Sequence, residues 1–135
     1  MLTNGLVVDK WLSMFAKDVP KEILANHVTK SGNFLWHIFS WGKAFCLDGG
    51  AAREALDSLA YDTSCIMFFG GCSENGEICI DDLSFCDNPS SAQLDELQEQ
   101  LLFTKKDIYV VGKDFRWTYV LTHEMSCGPY FCYRS

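Results

Sequence analysis

The dipeptide Asn75-Gly76 constrains the fold of this chain more than any other feature. It closes the run Ser73-Glu-Asn-Gly76 and stands between two segments rich in strand formers, Cys65-Ile-Met-Phe-Phe69 and Glu77-Ile-Cys-Ile80. Asn and Gly accept the positive backbone dihedrals of a two-residue turn at little cost, so the segments are expected to fold back as an antiparallel hairpin. A second pair, residues 108–111 and 117–122, is joined only by a short stretch around Gly112-Lys-Asp-Phe115. Parallel crossovers need a dozen or more residues, so this pair is antiparallel as well. A doubly wound sheet is therefore disfavoured. The expected fold is α+β, a single-domain two-layer sandwich with a mainly antiparallel sheet of about five or six strands and helices packed on it.

The helices are read from caps and apolar spacing. Asn4 can cap a first helix with Val7, Trp11, Met14 and Phe15 on one side, and a second starts near Pro20 with Ile23, Leu24 and His27. Asp48-Gly49-Gly50 opens a third, with Ala52, Ala55, Leu56 and Leu59 inward and Arg53, Glu54, Asp57 and Ser58 outward. Ser90 and Gln93 have the spacing of a capping box ahead of a stripe of Leu94, Leu97 and Leu101. The run Phe34-Leu-Trp-His-Ile-Phe-Ser-Trp41 is almost wholly apolar and reads as a central strand covered on both faces, while residues 130–133 read as a last edge strand. The 135 residues suit one domain, with residues 1–30 a helical segment and 33–135 a mixed α+β body.

Function is bounded mainly by charge. The chain carries a formal −7, and between Arg53 and Lys105 there is no Lys, Arg or His. That stretch holds eleven acids: Glu54, Asp57, Asp62, Glu74, Glu77, Asp81, Asp82, Asp87, Asp95, Glu96 and Glu99. Such a block argues against nucleic acid and for a basic protein as partner, with Glu74, Glu77, Asp81, Asp82, Asp95, Glu96 and Glu99 as the contact set. No apolar run approaches the roughly 20 residues of a bilayer span, so no membrane association is expected. The N-terminus lacks the charged-then-apolar pattern of a signal peptide, which points to the cytoplasm.

The seven cysteines, an odd number in an expected reducing compartment, are read as free thiols packing as small apolar groups. Cys65, Cys72, Cys79 and Cys86 recur every seven residues, but the intervening residues share no pattern and seven is no strand period, so the recurrence is read as coincidence. No two cysteines have the close spacing of a zinc knuckle, and no metal set or cofactor is assigned.

Chemistry is best sought in Trp117-Thr-Tyr-Val-Leu-Thr-His-Glu124. Strand alternation puts Trp117, Tyr119, Leu121 and His123 on one face and Thr118, Val120, Thr122 and Glu124 on the other. His123 and Glu124 can act together only where the strand ends or bulges, which Met125-Ser-Cys-Gly-Pro129 permits. His37, His123 and Glu124 are the candidate catalytic residues, as a general base with its orienting partner or a weak metal site. The bland alternative is a pair of hydrogen-bonded core histidines. The second His of the zinc-protease signature is missing, and Cys127 is the one cysteine with local support as a nucleophile. The glycines at 70, 71 and 76 fit no phosphate loop, and Asp81, Asp82 and Asp87 miss the calcium-loop spacing.

The strings Trp36-His-Ile-Phe-Ser40, Gly50-Ala-Ala-Arg-Glu-Ala-Leu56, Asp114-Phe-Arg-Trp-Thr-Tyr-Val-Leu-Thr-His-Glu124 and Gly128-Pro-Tyr-Phe131 resemble a family of small bacterial domains of unknown function. The resemblance runs from about residue 33 to the C-terminus. It implies a bacterial cytoplasmic origin and no particular activity. Three functions stay open: an acidic protein-binding module of the immunity-like kind that neutralises a basic partner, a metal-assisted hydrolase or nuclease-like enzyme using His37, His123 and Glu124, and a structural or regulatory subunit with an aromatic ligand pocket. The first is preferred, which favours a non-enzyme and leaves the question of an activity open. The oligomeric state is left open.

Overall fold

A computed structural model describes residues 2–59, 64–101, 106–124 and 126–134, with the backbone alone at Trp41. Among them lie helices α1 (Asn4–Phe15), α2 (Lys21–His27), α3 (Gly49–Asp57) and α4 (Ser91–Gln100). The strands are β1 (Leu47–Asp48), β2 (Ser64–Glu74), β3 (Glu77–Asp87), β4 (Asp107–Gly112), β5 (Trp117–Leu121) and β6 (Tyr130–Tyr133). They form one sheet in the order β1-β6-β5-β4-β2-β3, and every neighbouring pair is antiparallel. The α+β fold with a six-stranded antiparallel sheet is thus as expected.

Strand alternation gives the sheet two apolar faces. Ile66, Phe68, Tyr109, Val111, Val120 and Tyr130 pack against Val7, Trp11 and Phe15 of α1 and against Leu35, Trp36, Ile38 and Phe39. Cys65, Ile108, Val110, Trp117, Tyr119, Leu121 and Phe131 pack against Ala52 and Leu56 of α3 and Leu94 of α4. A second helical layer therefore adds to the two layers expected. It leaves β4 buried along its whole length, as a centre strand between two covered faces must be. The Trp11 indole N–H donates to the Thr118 hydroxyl at 3.0 Å, which itself donates to the Val110 carbonyl at 2.9 Å, so α1 is pinned to the middle of the sheet.

Three local expectations are corrected. The run at 34–41 is not a strand: it forms two short 3₁₀ turns, Leu35–Ile38 and Ser40–Gly42. Leu35, Trp36, Ile38 and Phe39 point inward and His37 is half-buried, a one-sided helical spacing that an uninterrupted apolar run conceals. Thr3, not Asn4, caps α1 by accepting from the Leu6 N–H, while Asn4 reaches the Ile80 carbonyl on β3. The last strand, β6, is not an edge, because the two-residue β1 pairs outside it.

The hairpin follows its turn chemistry, with φ of 52° at Asn75 and 84° at Gly76. Its strands run eleven residues each, longer than the segments read from sequence. Two register irregularities interrupt them, between Met67 and Phe69 and between Gly70 and Cys72. The first puts an extra residue in β3, where Asp82 has φ 53°, and the second an extra residue in β2, where Gly71 has φ 82°. The two cancel, so Cys65 lies opposite Cys86 and Cys72 opposite Cys79. The seven-residue recurrence is thus a mirror arrangement about the turn, which sets the four cysteines opposite one another in two pairs. All seven cysteines are free; Cys65 and Cys132 are buried, Cys79 is exposed, and the others are half-buried.

Helix α4 begins with the expected capping box, in which the Ser90 hydroxyl accepts from the Gln93 N–H and the Ser90 N–H donates to the Gln93 side chain. Asp57 adds a contact the sequence did not disclose: its two oxygens accept from the Ser91 N–H and hydroxyl, both at 2.7 Å, and tie α3 to α4.

Candidate functional site

Strand β5 stops at Leu121, and the Thr122 hydroxyl turns into the following loop with the Glu124 and Cys127 carbonyls in reach. Past that point strand alternation no longer governs. The His123 backbone N–H and ring Nδ1 both reach Oδ1 of Asp107, at 2.7 Å each. Oδ2 of the same carboxylate accepts from the Trp36 indole N–H at 2.9 Å. Asp107 opens β4 and is 0 % exposed. Alternation along β4 puts it on the face of Tyr109 and Val111, and the Tyr109 hydroxyl in turn takes the Trp36 backbone N–H at 3.1 Å. A single carboxylate thus holds together the 3₁₀ turn, the centre strand and the β5–β6 loop. Burial pushes the Asp107 carboxyl up, opposed by the bonds from His123 and Trp36.

This geometry corrects the expected placement of His123. Its ring does not join the layer of Trp117 and Tyr119 but lies edge-on to Phe34 at 4.9 Å, with Trp36 at 6.4 Å. Glu124 is exposed, with Oε1 4.0 Å from His123 Nε2 and Oε2 3.5 Å from the Cys127 sulfur. His123 and Glu124 therefore do come together. His37 stands apart: its Nδ1 faces the Ser40 hydroxyl at 3.2 Å and its ring lies against Trp36 at 4.2 Å, while Phe34 touches both histidine rings. It opens onto a separate hollow of about 340 Å³ with His27, Asn33 and Lys43, and burial, then Lys43, lowers its pKa. Among the described residues no group of three or more His, Cys, Asp or Glu is placed to hold a metal ion.

A cleft of about 410 Å³ adjoins His123 on the α4 side, lined by Arg53, Asp95, Gln98, Glu99 and Lys106. Gln98 donates to the Thr122 carbonyl and fastens α4 to the His123 turn. Arg53 pairs with Asp95, and Lys106 lies 3.1 Å from Asp81 of β3. The acids of α4 and β3 consequently meet around Lys106.

Of the seven expected partner-binding acids, Glu74 and Glu77 flank the hairpin turn, Asp81 and Asp82 lie exposed on β3, and Glu96 and Glu99 lie exposed on α4. Asp95 is half-buried by its pairing with Arg53. Asp57 is exposed but has both carboxylate oxygens taken by Ser91 of α4, and Asp62 lies outside the described residues. Asp107 is not among the residues singled out from the sequence, although its position at the head of the apolar run Ile108-Tyr-Val-Val111, in phase with Tyr109 and Val111, marks it as inward-facing.

Chemically, Asp107 fixes the imidazole with Nδ1 occupied and Nε2 turned toward Glu124, so the ring is held in one orientation in which it can serve as a base or a ligand. It equally serves as a buried polar fastener. No described helix is long and apolar enough to cross a membrane. A family model, Domain of unknown function (DUF4275), matches residues 5–131. The match takes in α1 as well as the segments from residue 33 onward. No curated protein and no solved structure matches the chain. The chain belongs to the DUF4275 family.

Proposed function

We propose that this DUF4275 domain is a small acidic protein-binding module whose surface neutralises a basic partner, in the manner of an immunity protein. The meeting of Asp95 and Glu99 in one cleft, with Asp81 paired to the Lys106 that lines it, carries the reading. Arg53 and Lys106 each take one of these carboxylates. Glu74, Glu77, Asp82, Glu96 and Glu99 make no ion pair with a described residue, so the hairpin and α4 keep a surplus of negative charge for an incoming cationic surface. Beside it, β3 offers an eleven-residue outer strand with Phe85 63 % exposed, an apolar anchor beside the acids. Charges along such a strand also deter self-association, which fits a surface that must meet one kind of partner and avoid its own copies.

The test is affinity capture from cell extract with three baits: wild type, Glu96→Lys/Glu99→Lys on α4, and Glu77→Lys on β3. Basic proteins held by wild type, released by salt and lost from a charge-reversed bait are expected. Recovery of the same proteins by all three baits contradicts the proposal.

One observation favours a second reading, in which His123 is a general base. Asp107 at 2.7 Å from Nδ1 leaves Nε2 free at the mouth of the loop, with Glu124 beside it. His37 has no part in this version. Turnover of simple ester or phosphodiester substrates that vanishes in His123→Ala, with the melting temperature retained, would favour it over the binding module.

A further inference from the structure

The hairpin turn at Asn75-Gly76 folds β3 back on β2 so that Cys65 and Cys86 occupy directly opposite positions. Directly opposed residues of antiparallel strands have Cα atoms about 4.5–5.5 Å apart, inside the roughly 4.4–6.8 Å that a disulfide spans. The two sulfurs already touch, at 3.1 Å. Cys65 is wholly buried against the α3–α4 layer, whereas Cys86 is half-buried and lines an open hollow of about 560 Å³ with Ser64, Phe85, Asp87 and Lys113. One thiol is therefore reachable from solvent and the other waits directly behind it.

We propose that Cys65 and Cys86 are a peroxide-reactive dithiol, a modification site that closes to a disulfide across the β2–β3 hairpin. The co-reactant is hydrogen peroxide or a small organic hydroperoxide entering through the hollow. The Cys86 sulfur attacks one peroxide oxygen, the O–O bond breaks, and the leaving oxygen departs as water (or as the alcohol) with the proton of the Cys86 thiol. Cys86 is left as a sulfenic acid. The Cys65 sulfur then displaces the sulfenic hydroxyl, which leaves as water with the Cys65 proton. Two thiols lose two electrons and one peroxide gains them. Burial first, then Cys86 and Asp87, pushes the Cys65 thiol up, which assigns the first attack to Cys86 and the resolving step to Cys65.

Cβ atoms of opposed strand residues sit farther apart than a relaxed disulfide prefers, so closure draws β3 toward β2 and leaves the bond readily reduced. The reaction is reversible on those grounds, as a regulatory disulfide is. Cys72 and Cys79 share the same kind of register, but the Cys72 sulfur turns to the Ser73 carbonyl at 3.8 Å and Cys79 is exposed, so that pair supplies an internal control.

The experiment treats the full chain with hydrogen peroxide, quenches, alkylates under denaturing conditions and maps peptides by mass spectrometry. Wild type is expected to lose two of its seven thiols, to lighten by two hydrogen atoms, and to yield the peptides of Cys65 and Cys86 joined, with dithiothreitol restoring all seven. A Cys72→Ser/Cys79→Ser variant should behave as wild type, and Cys86→Ser should form no such bond. Seven thiols surviving peroxide, a bond mapped to any other pair, or an undiminished loss of two thiols in Cys86→Ser overturns the proposal. The wild-type map decides the matter even if a variant folds poorly.

Discussion

Replacing Asp107 with Ala removes the acceptor of three N–H groups: the Trp36 indole, the His123 backbone and the His123 ring. Each buried donor left without a partner costs about 1–3 kcal/mol. Trp36 is 0 % exposed and its indole N–H has no other recourse. The His123 side chain is 17 % exposed, so water can replace the bond to Nδ1, and the backbone N–H lies between these extremes. Two stranded donors give about 2–6 kcal/mol, offset in part because the buried carboxylate no longer has to be desolvated. A net loss of about 3 kcal/mol is expected, a large share of the roughly 5–15 kcal/mol that stabilises an ordinary domain. Asp107→Asn keeps one oxygen for His123 and sets its amide against the indole N–H, so one donor is stranded and the cost falls to about 1–2 kcal/mol. Urea unfolding is the assay, with the midpoint shifting in the order Ala, then Asn, then wild type, at an unchanged m-value. In heat, the Ala variant should melt roughly 10 °C lower. An Ala variant within about 1 kcal/mol of wild type, or an Asn variant costing more than Ala, would refute the assignment of Asp107 as the fastener of these elements.

Gly71→Ala should cost about 2–4 kcal/mol in the same assay, because Gly71 has φ 82° and an added Cβ would sit 2.6 Å from the Tyr109 hydroxyl; a loss below about 1 kcal/mol would contradict the close packing there. Ser90→Ala should cost about 1 kcal/mol by opening the capping box of α4, read as a lower melting temperature with helix content nearly unchanged by circular dichroism. Burial and Lys43 lower the His37 pKa from 6.5, so the folded imidazole binds its proton more weakly than the unfolded one. The stability this leaves is fully present above 6.5 and is lost as pH falls from there through the folded value, so the urea midpoint of His37→Asn should vary less over that range than wild type. Asp107, raised by burial, acts in the opposite sense in its own window, which is why the comparison is between variant and wild type at each pH.

The parts of the fold legible in the sequence are those governed by neighbours along the chain. Asn75-Gly76 and the Ser90–Gln93 box act over two to four residues and lie where expected, and Asp48 stands at the N-cap position of α3 although its side chain makes no capping bond. The run at 34–41 was not legible because a segment with almost no polar residues carries no visible period. His123 was placed on the wrong face because alternation was carried two residues beyond the end of β5. Asp107 beside Lys106 looks like a solvated charge pair; its burial depends on Trp36 and His123, both distant in sequence. The cysteine spacing was visible, and counting outward from the centre of the turn pairs Cys65 with Cys86 and Cys72 with Cys79. That the intervening register slips cancel is a property of the folded strands alone.

The most direct test of the binding account is to measure, side by side, the affinity of a captured basic partner for wild type, His123→Ala and Glu96→Lys/Glu99→Lys. The account predicts an affinity that weakens steadily with salt, is nearly unchanged in the folded His123→Ala protein, and falls by tenfold or more, about 1.4 kcal/mol, in the α4 variant. An affinity indifferent to salt and to the α4 acids, but abolished by His123→Ala, would contradict it and place the working surface at the Asp107–His123 pair instead.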